Sequence, residues 1–205
     1  MFMLDIETTG LDKEKDDVLE IGVVHMKMDK SGVFVPGESF SQIFPTTKEP
    51  SDWAKQHPAQ VELYDKCRML HQDDSSNRIR AEYGRRELTE FLNKHKGEDK
   101  LPSICGLNVI NFDLLFLVKK GFLREEDYSY RIFDVTPVID FVMLAFNMRK
   151  EARTPLVDKA FTSGALVGGM PDGTAHGALW DCYRQIKMLN GFLQMARAGF
   201  SDFRL

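Results

Sequence analysis

Residues 1–10 of the chain, MFMLDIETTG, place two acids at the end of an apolar run, and this stretch decides the fold prediction. Residues 1–7 predict a short buried strand, and Gly10 predicts the turn that follows it. Side chains alternate between the two faces of a strand, so Asp5 and Glu7 point the same way. Carboxylates in apolar surroundings need a compensating positive charge. The pair is therefore suited to grip one metal ion or to bridge two.

The next two segments predict two more strands beside the first. Residues 17–28 are rich in Val and Ile, and residues 32–44 alternate after a Lys-Ser-Gly turn. We expect an antiparallel meander of three strands.

Residues 46–100 have a different character and predict a helical region. Leu88, Phe91 and Leu92 lie at the spacing of one helix face. A loop is predicted at residues 73–77. This region matches no subfamily pattern and is expected to be specific to the chain's own subfamily.

The remainder of the chain alternates strands with helices. Strands are predicted at 101–108 and 130–135, and helices at 110–121, 136–150 and 176–199. Residues 163–175 are rich in glycine and predict the most flexible stretch. Strands first, then strands mixed with helices, predict an α/β fold with a mixed sheet flanked by helices. We expect one domain over residues 1–205.

The charge balance limits the kind of partner the chain can hold. The formal net charge is −4, whereas proteins that wrap duplex DNA are usually basic. This balance argues against broad electrostatic binding. It is compatible with a small cleft that holds nucleic acid through metal ions and a few local contacts.

The same composition predicts a cytoplasmic protein. No run approaches eighteen apolar residues, so no membrane span is expected. No basic stretch leads into an apolar run at the start, so no secretion signal is expected. The three cysteines are odd in number and widely spaced, which is typical of reduced thiols.

A third acid stands out in the segment GLNVINFDLLFL. Asp113 lies between Phe112 and the apolar residues 114–117. An acid in such surroundings is either the N-terminal acid of a helix or a metal ligand. Asn108 is a candidate contact for a phosphate or sugar, with a turn role as the alternative.

The segment HGALWDC supplies a histidine and a fourth acid. Asp181 follows His176 by five residues, which is not the spacing of one helix face. We therefore place His176 in the loop or at the helix cap, and Asp181 on the helix. An imidazole with a pKa of about 6.5 can accept a proton at neutral pH. A surface or capping role is the alternative for this histidine.

Three motifs in this order resemble the DEDD superfamily of 3′–5′ exonucleases, histidine branch. The motifs are DIETTG at 5–10, NVINFD at 108–113 and HGALWD at 176–181. That branch includes the proofreading subunit of bacterial replicative polymerases, ribonuclease T and oligoribonuclease. The resemblance implies a ribonuclease H-like fold.

The resemblance also implies a catalytic machinery. It assigns two divalent ions, Mg²⁺ or Mn²⁺, to a cage of four carboxylates from Asp5, Glu7, Asp113 and Asp181. It assigns His176 as the general base. It also implies that Thr8 and Leu11 bind the terminal nucleotide. Packing within the turn is the alternative role for Leu11.

The resemblance further implies a reaction and its partners. We expect hydrolysis from the 3′ end of single-stranded DNA, with release of nucleoside 5′-monophosphates. The same chemistry on short RNA is the alternative, and a non-catalytic binding module of the same fold is a third reading. A proofreading role would require a polymerase partner, although a stand-alone enzyme is favoured. The sequence leaves a monomer and a homodimer both open.

Overall fold

The computed structural model describes residues 1–71, 77–98, 100–171 and 177–198. Within these ranges the strands are β1 Phe2–Thr8, β2 Val18–Met28, β3 Phe34–Ile43, β4 Ile104–Gly106 and β5 Phe133–Asp134. The α-helices are α1 Pro58–His71, α2 Asn77–His95, α3 Asp113–Lys119, α4 Val135–Ala145, α5 Arg153–Ser163 and α6 Ala178–Arg197. Short 3₁₀ turns cover Ala54–Gln56, Glu125–Asp127 and Lys150–Ala152.

The described strands form one sheet in the order β3-β2-β1-β4-β5. The β1 strand pairs antiparallel with β2 and parallel with β4, and β5 continues the parallel side. The prediction of a mixed sheet built on a three-strand antiparallel meander is therefore confirmed.

The central strand β1 divides the apolar core into two layers. Phe2, Leu4 and Ile6 belong to a buried cluster to which α2 and α3 contribute, whereas Met3 packs with α4, α5 and α6. Because side chains alternate along a strand, Asp5 is turned toward the second layer. The carboxyl end of β1 consequently faces the start of α6.

Several element boundaries differ from the sequence predictions. The helical region begins at Pro58, after a largely irregular stretch, because proline suits the first position of a helix. The strand predicted at 101–108 ends at Gly106, because Asn108 adopts a positive φ of 59° and turns the chain. The helix predicted at 110–121 is shorter in the structure, where α3 covers Asp113–Lys119, and Gly121 with φ 77° directly follows the C-cap residue Lys120. Helix α5 was not predicted at all.

Two sequence predictions lie wholly or partly outside the described residues. Of the loop predicted at 73–77, residues 73–76 lie outside the described residues, and Asn77 belongs to α2. The glycine-rich stretch is described as far as residue 171. Among the described residues, no helix combines the length and the apolar character needed to cross a membrane.

Candidate active site

Three carboxylates meet where β1 ends and α6 begins. Asp5 and Glu7 come from β1, and Asp181 comes from the first turn of α6. Among the described residues, one oxygen from each lies within 4.8 Å of the others. Residues at the two ends of the described chain are thereby brought to one point.

Asp113 is fixed beside this group by a backbone hydrogen bond. It is the first residue of α3 and only 3% exposed. Its Oδ1 accepts a hydrogen bond of 3.0 Å from the N–H of Ile6, the residue between Asp5 and Glu7. The structure therefore brings together all four predicted acids, three as a close group and Asp113 alongside.

Burial and mutual repulsion make the ionised forms of these acids costly. Burial raises the pKa of Asp5 well above its usual range, and the neighbouring charge of Asp113 adds to this rise. Burial also raises the pKa of Glu7 to about 8 and that of Asp113 to about 7. Near neutral pH, such a group competes for protons unless cations neutralise it.

The donor set fits a hard divalent cation. Carboxylate oxygens from separate elements are the ligands that Mg²⁺ and Mn²⁺ prefer. A divalent ion would also neutralise the repulsion that raises these pKa values. Asp5, Glu7 and Asp181 are close enough to share one ion, and Asp113 borders the same space.

Two buried glutamines that the sequence analysis did not identify bind these carboxylates. Gln185 of α6 donates a hydrogen bond of 2.7 Å to Oδ1 of Asp5. Gln60 of α1 donates one of 3.0 Å to Oε2 of Glu7. These pairs are 180 and 53 residues apart in the sequence, so no local pattern could have revealed them.

The start of α6 is held on the sheet by Glu20 and Gly22 of β2. Oε2 of Glu20 accepts a hydrogen bond of 3.0 Å from the N–H of Ala178, which satisfies an otherwise unpaired donor at the helix start. A side chain at Gly22 would overlap the backbone of Ala178 and Leu179. This close approach determines how far the first turn of α6, which carries Asp181, lies from the sheet.

The turn after β4 is organised by Asp134. Its carboxylate accepts hydrogen bonds from the N–H groups of Asn108 at 3.0 Å, Ile110 at 3.3 Å and Thr136 at 2.8 Å. Asn108 has an exposed side chain and its backbone serves the turn. A contact between Asn108 and substrate stays a prediction.

A cleft of about 390 Å³ opens beside Glu7. Thr8, Leu11, Trp53 and Phe112 are among the residues that line it. Leu11 is 86% exposed, so its side chain is not packed within the turn, and Trp53 is 57% exposed. The cleft therefore presents apolar and aromatic surface directly next to the carboxylates. Trp53 was not predicted, because a single tryptophan in an irregular stretch carries no positional signal.

His176, the predicted general base, lies outside the described residues. Its neighbour Gly177 is the N-cap of α6, and the N–H of Asp181 bonds to the carbonyl of Gly177. The predicted role of His176 stays a prediction.

Clustered carboxylates that could hold a divalent cation lie at the carboxyl end of the central strand of this mixed sheet. Residues 2–189 match the RNase T family model, whose description is Exonuclease. The chain belongs to this exonuclease family. The predictions of the exonuclease family and of a nuclease are thereby confirmed.

Several known proteins are similar to the chain. A protein from Dictyostelium discoideum named probable oligoribonuclease is 29% identical over 142 residues, which cover 67% of this chain and 68% of that protein. A probable oligoribonuclease from Drosophila melanogaster is 28% identical over 66% of this chain and 60% of its own length. Ribonuclease T from Photorhabdus laumondii is 25% identical over 91% of this chain and 80% of that protein.

A solved structure has the same fold. The zinc-bound form of the E. coli ExoI–ssDNA complex superposes with a TM-score of 0.55 at 17% sequence identity. The match covers 97% of this chain and 40% of the ExoI chain. The predicted ribonuclease H-like architecture is confirmed by this likeness and by the sheet order.

Proposed function

We propose that the chain is a metal-dependent 3′–5′ exonuclease that removes nucleoside 5′-monophosphates from the ends of short single strands. The observation that carries this proposal is the position of the aromatic cleft, which shares Glu7 with the carboxylate group. A terminal base in the cleft would bring the adjoining phosphodiester to the acids.

We propose short RNA as the preferred substrate. Two of the similar proteins are named oligoribonuclease and a third is named ribonuclease T. Single-stranded DNA, which the sequence analysis favoured, is the second candidate. It is supported by the motif HGALWD at 176–181, which resembles that of the proofreading subunits.

The carboxylates would hold two divalent ions, Mg²⁺ or Mn²⁺, as the resemblance implies. When bound, such ions supply an activated water and neutralise the charge on the leaving oxygen. Asp5, Glu7 and Asp181, whose oxygens lie within 4.8 Å of one another, would share the ligand positions, and Asp113 would complete the set from α3. The water oxygen bonds to phosphorus as the bond from phosphorus to the 3′ oxygen of the preceding nucleotide breaks. That 3′ oxygen takes up a proton and becomes the 3′-hydroxyl of the shortened strand, and the 5′-phosphate stays with the released nucleoside.

The chain's own residues would position the substrate and move the proton. Leu11, Trp53 and Phe112 offer surfaces on which a base can stack, and Thr8 lies at the cleft wall. We assign removal of the proton from the attacking water to His176, which directly precedes the N-cap of α6. The net charge of −4 fits a substrate held locally rather than along an extended basic track.

Other features of the proposal concern the protein as a whole. We propose that it acts on its own, as one domain. A polymerase partner, the choice between monomer and homodimer, and a cytoplasmic location stay predictions.

The test is degradation of 5′-labelled RNA and DNA oligonucleotides of two to twelve nucleotides with Mn²⁺ or Mg²⁺. We expect a ladder that shortens from the 3′ end, is abolished by EDTA, and forms faster on RNA. Asp113→Asn should abolish it, whereas Asp140→Asn should not, because Asp140 pairs with Arg153 at the surface. Faster cleavage of DNA would reverse the substrate preference, and no cleavage of either by the folded, metal-loaded protein would refute the proposed activity.

A further inference from the structure

Helix α1 places an amide group against one of the predicted metal ligands. Gln60, in the first turn of α1, is 2% exposed. Its side-chain nitrogen donates to Oε2 of Glu7 at 3.0 Å. The helical region between β3 and β4 thus touches the site directly.

Gln60 occupies a position where the helix otherwise carries apolar or aromatic side chains. Between residues 58 and 70 of α1, the buried residues are Gln60, Leu63, Tyr64 and Cys67. They have the i, i+3, i+4 and i+7 spacing of one buried helix face. A buried amide must find partners to offset the loss of its hydration. An apolar side chain would fill this position without needing hydrogen-bond partners. The presence of an amide therefore indicates that its hydrogen bond to Glu7 has a role.

The hydrogen bond constrains Glu7 in a defined way. A glutamate side chain has several rotamers and two equivalent oxygens, and a donor on one oxygen restricts the orientations that the carboxylate can adopt. With Oε2 bound to Gln60, rotation of the carboxylate away from Asp5 and Asp181 would break this bond. Groups that orient metal ligands in this way typically change metal affinity by about 10- to 100-fold when removed.

We propose that Gln60 is a positioning residue that holds Glu7 in its metal-binding orientation, so that α1 sets the metal affinity of the site. This inference rests on the proposed function, since it takes Glu7 as a metal ligand. Gln60 also lines the cleft beside Trp53. The same helix turn therefore borders both the base-binding surface and the carboxylate group.

The test compares Gln60→Met with Tyr64→Phe in the full chain. Methionine keeps the length of the side chain and removes the donor. Tyr64→Phe removes a different buried hydrogen bond from α1, the one of 3.2 Å from the Tyr64 hydroxyl to the carbonyl of Thr9. Each variant loses a buried hydrogen bond to the β1 region, and Gln60→Met is the variant that removes the donor to Glu7.

The readouts are Mn²⁺ binding by titration calorimetry and the Mn²⁺ concentration that gives half-maximal cleavage. We expect Gln60→Met to weaken both by roughly tenfold or more, and raising Mn²⁺ to saturation to recover the cleavage rate that is lost at low Mn²⁺. Tyr64→Phe should stay within about twofold of wild type in both. Thermal unfolding of each variant without metal checks that the fold is retained, and Gln60→Ala replaces Gln60→Met if methionine does not fit.

The outcomes separate this inference from the proposed function. Unchanged Mn²⁺ affinity in Gln60→Met, or an equal loss in Tyr64→Phe, would overturn the role of Gln60. If wild type binds Mn²⁺ without cleaving any oligonucleotide, the proposed activity fails while the binding comparison still decides the role of Gln60. If wild type binds no Mn²⁺, both fail.

Discussion

Gln185 of α6 joins three elements through its side-chain amide. Its nitrogen donates to Oδ1 of Asp5 at 2.7 Å, and its oxygen accepts from the N–H of Leu107 at 2.8 Å. One buried residue thus ties α6 to β1 and to the turn after β4. Removing it leaves the N–H of Leu107 and the carboxylate of Asp5, both partly buried, without these partners.

Replacing Gln185 with methionine should therefore cost stability. We expect the free energy of unfolding to fall by about 1–3 kcal/mol, the usual penalty for stranding a buried polar group. Urea unfolding followed by circular dichroism measures this change. Gln194→Met on the exposed side of α6 is the matched control and should have little effect. Equal stabilities of the two variants would contradict the bridging role.

Asp113→Asn should abolish activity without lowering the stability of the metal-free protein. Its amide oxygen can still accept the N–H of Ile6, while the charge is gone. Because burial raises the pKa of Asp113 from 3.8 to about 7, folding becomes less favourable as the pH rises from 3.8 to 7, and the full cost is present above 7. At pH 8 in EDTA, the variant should unfold at the same or a higher temperature than wild type. It should lose most of the stabilisation that Mn²⁺ gives wild type, and a lower melting temperature in EDTA would count against this account.

Gly22→Ala should displace the start of α6. The added methyl group would overlap the backbone of Ala178 and Leu179, and overpacking of this kind costs about 1–3 kcal/mol. Because Asp181 lies in that turn, we expect cleavage to fall at least 100-fold, as small misplacements of reacting groups do. At Gly37 a methyl group would meet His25 atoms at 3.3 Å, so Gly37→Ala is the milder control. Full activity in Gly22→Ala would show that Asp181 tolerates movement of α6.

Trp53→Ala tests the cleft as a base-binding surface. Stacking of a base on an aromatic side chain contributes about 1–3 kcal/mol, so KM for a short oligonucleotide should rise roughly 5- to 150-fold. The melting temperature should change little, because Trp53 is more than half exposed. Tyr130→Ala removes another exposed aromatic ring and should leave KM unaltered. An unchanged KM in Trp53→Ala would place the substrate elsewhere.

His25 should make stability depend on pH. It is buried and stacked against His95 with ring centroids 5.1 Å apart. Burial, followed by the charges of the amino terminus, His95 and Lys27, lowers its pKa from 6.5 to about 4, against a small opposing effect of Glu38. The neutral ring is therefore favoured in the folded state. Its stabilising contribution is complete above pH 6.5 and declines as the pH falls toward 4.

Comparison with His25→Phe isolates this contribution. Phenylalanine keeps the ring contacts with Phe2 and His95 but does not titrate. We expect the loss of unfolding free energy between pH 7 and pH 4.5 to be smaller in His25→Phe than in wild type. Urea titrations at both pH values measure it, and identical pH slopes would show that His25 is not responsible.

The parts of the fold that the sequence predicted are those with a local signal. Asp5 and Glu7 follow an apolar run, and the alternation of a strand places them on one face. Leu88 and Leu92 recur at helical spacing and are fully buried in the core. These features depend on neighbours within a few residues, which a single sequence contains.

The parts that were missed depend on distant partners. Helix α5 packs so closely on α6 that a side chain at Gly191 would overlap the carbonyl of Ala160. No sequence pattern within residues 151–162 predicts that contact. Gln60 and Gln185 look like ordinary polar helix residues until the fold brings Glu7 and Asp5 against them. Polar residues that act across the structure carry no periodicity of their own.

The position of β1 at the centre of the sheet has a consequence for how the protein reaches its active form. Its pairing with β4 and its contacts with α6 join segments about 100 and 180 residues apart. Contacts of such long range form slowly, because much chain entropy is lost before they stabilise anything. A partly folded chain can complete the β1–β3 meander, yet it lacks Asp181 until α6 docks. Until α6 docks, the chain is thus expected to lack one of its four carboxylates and to be inactive toward nucleic acid.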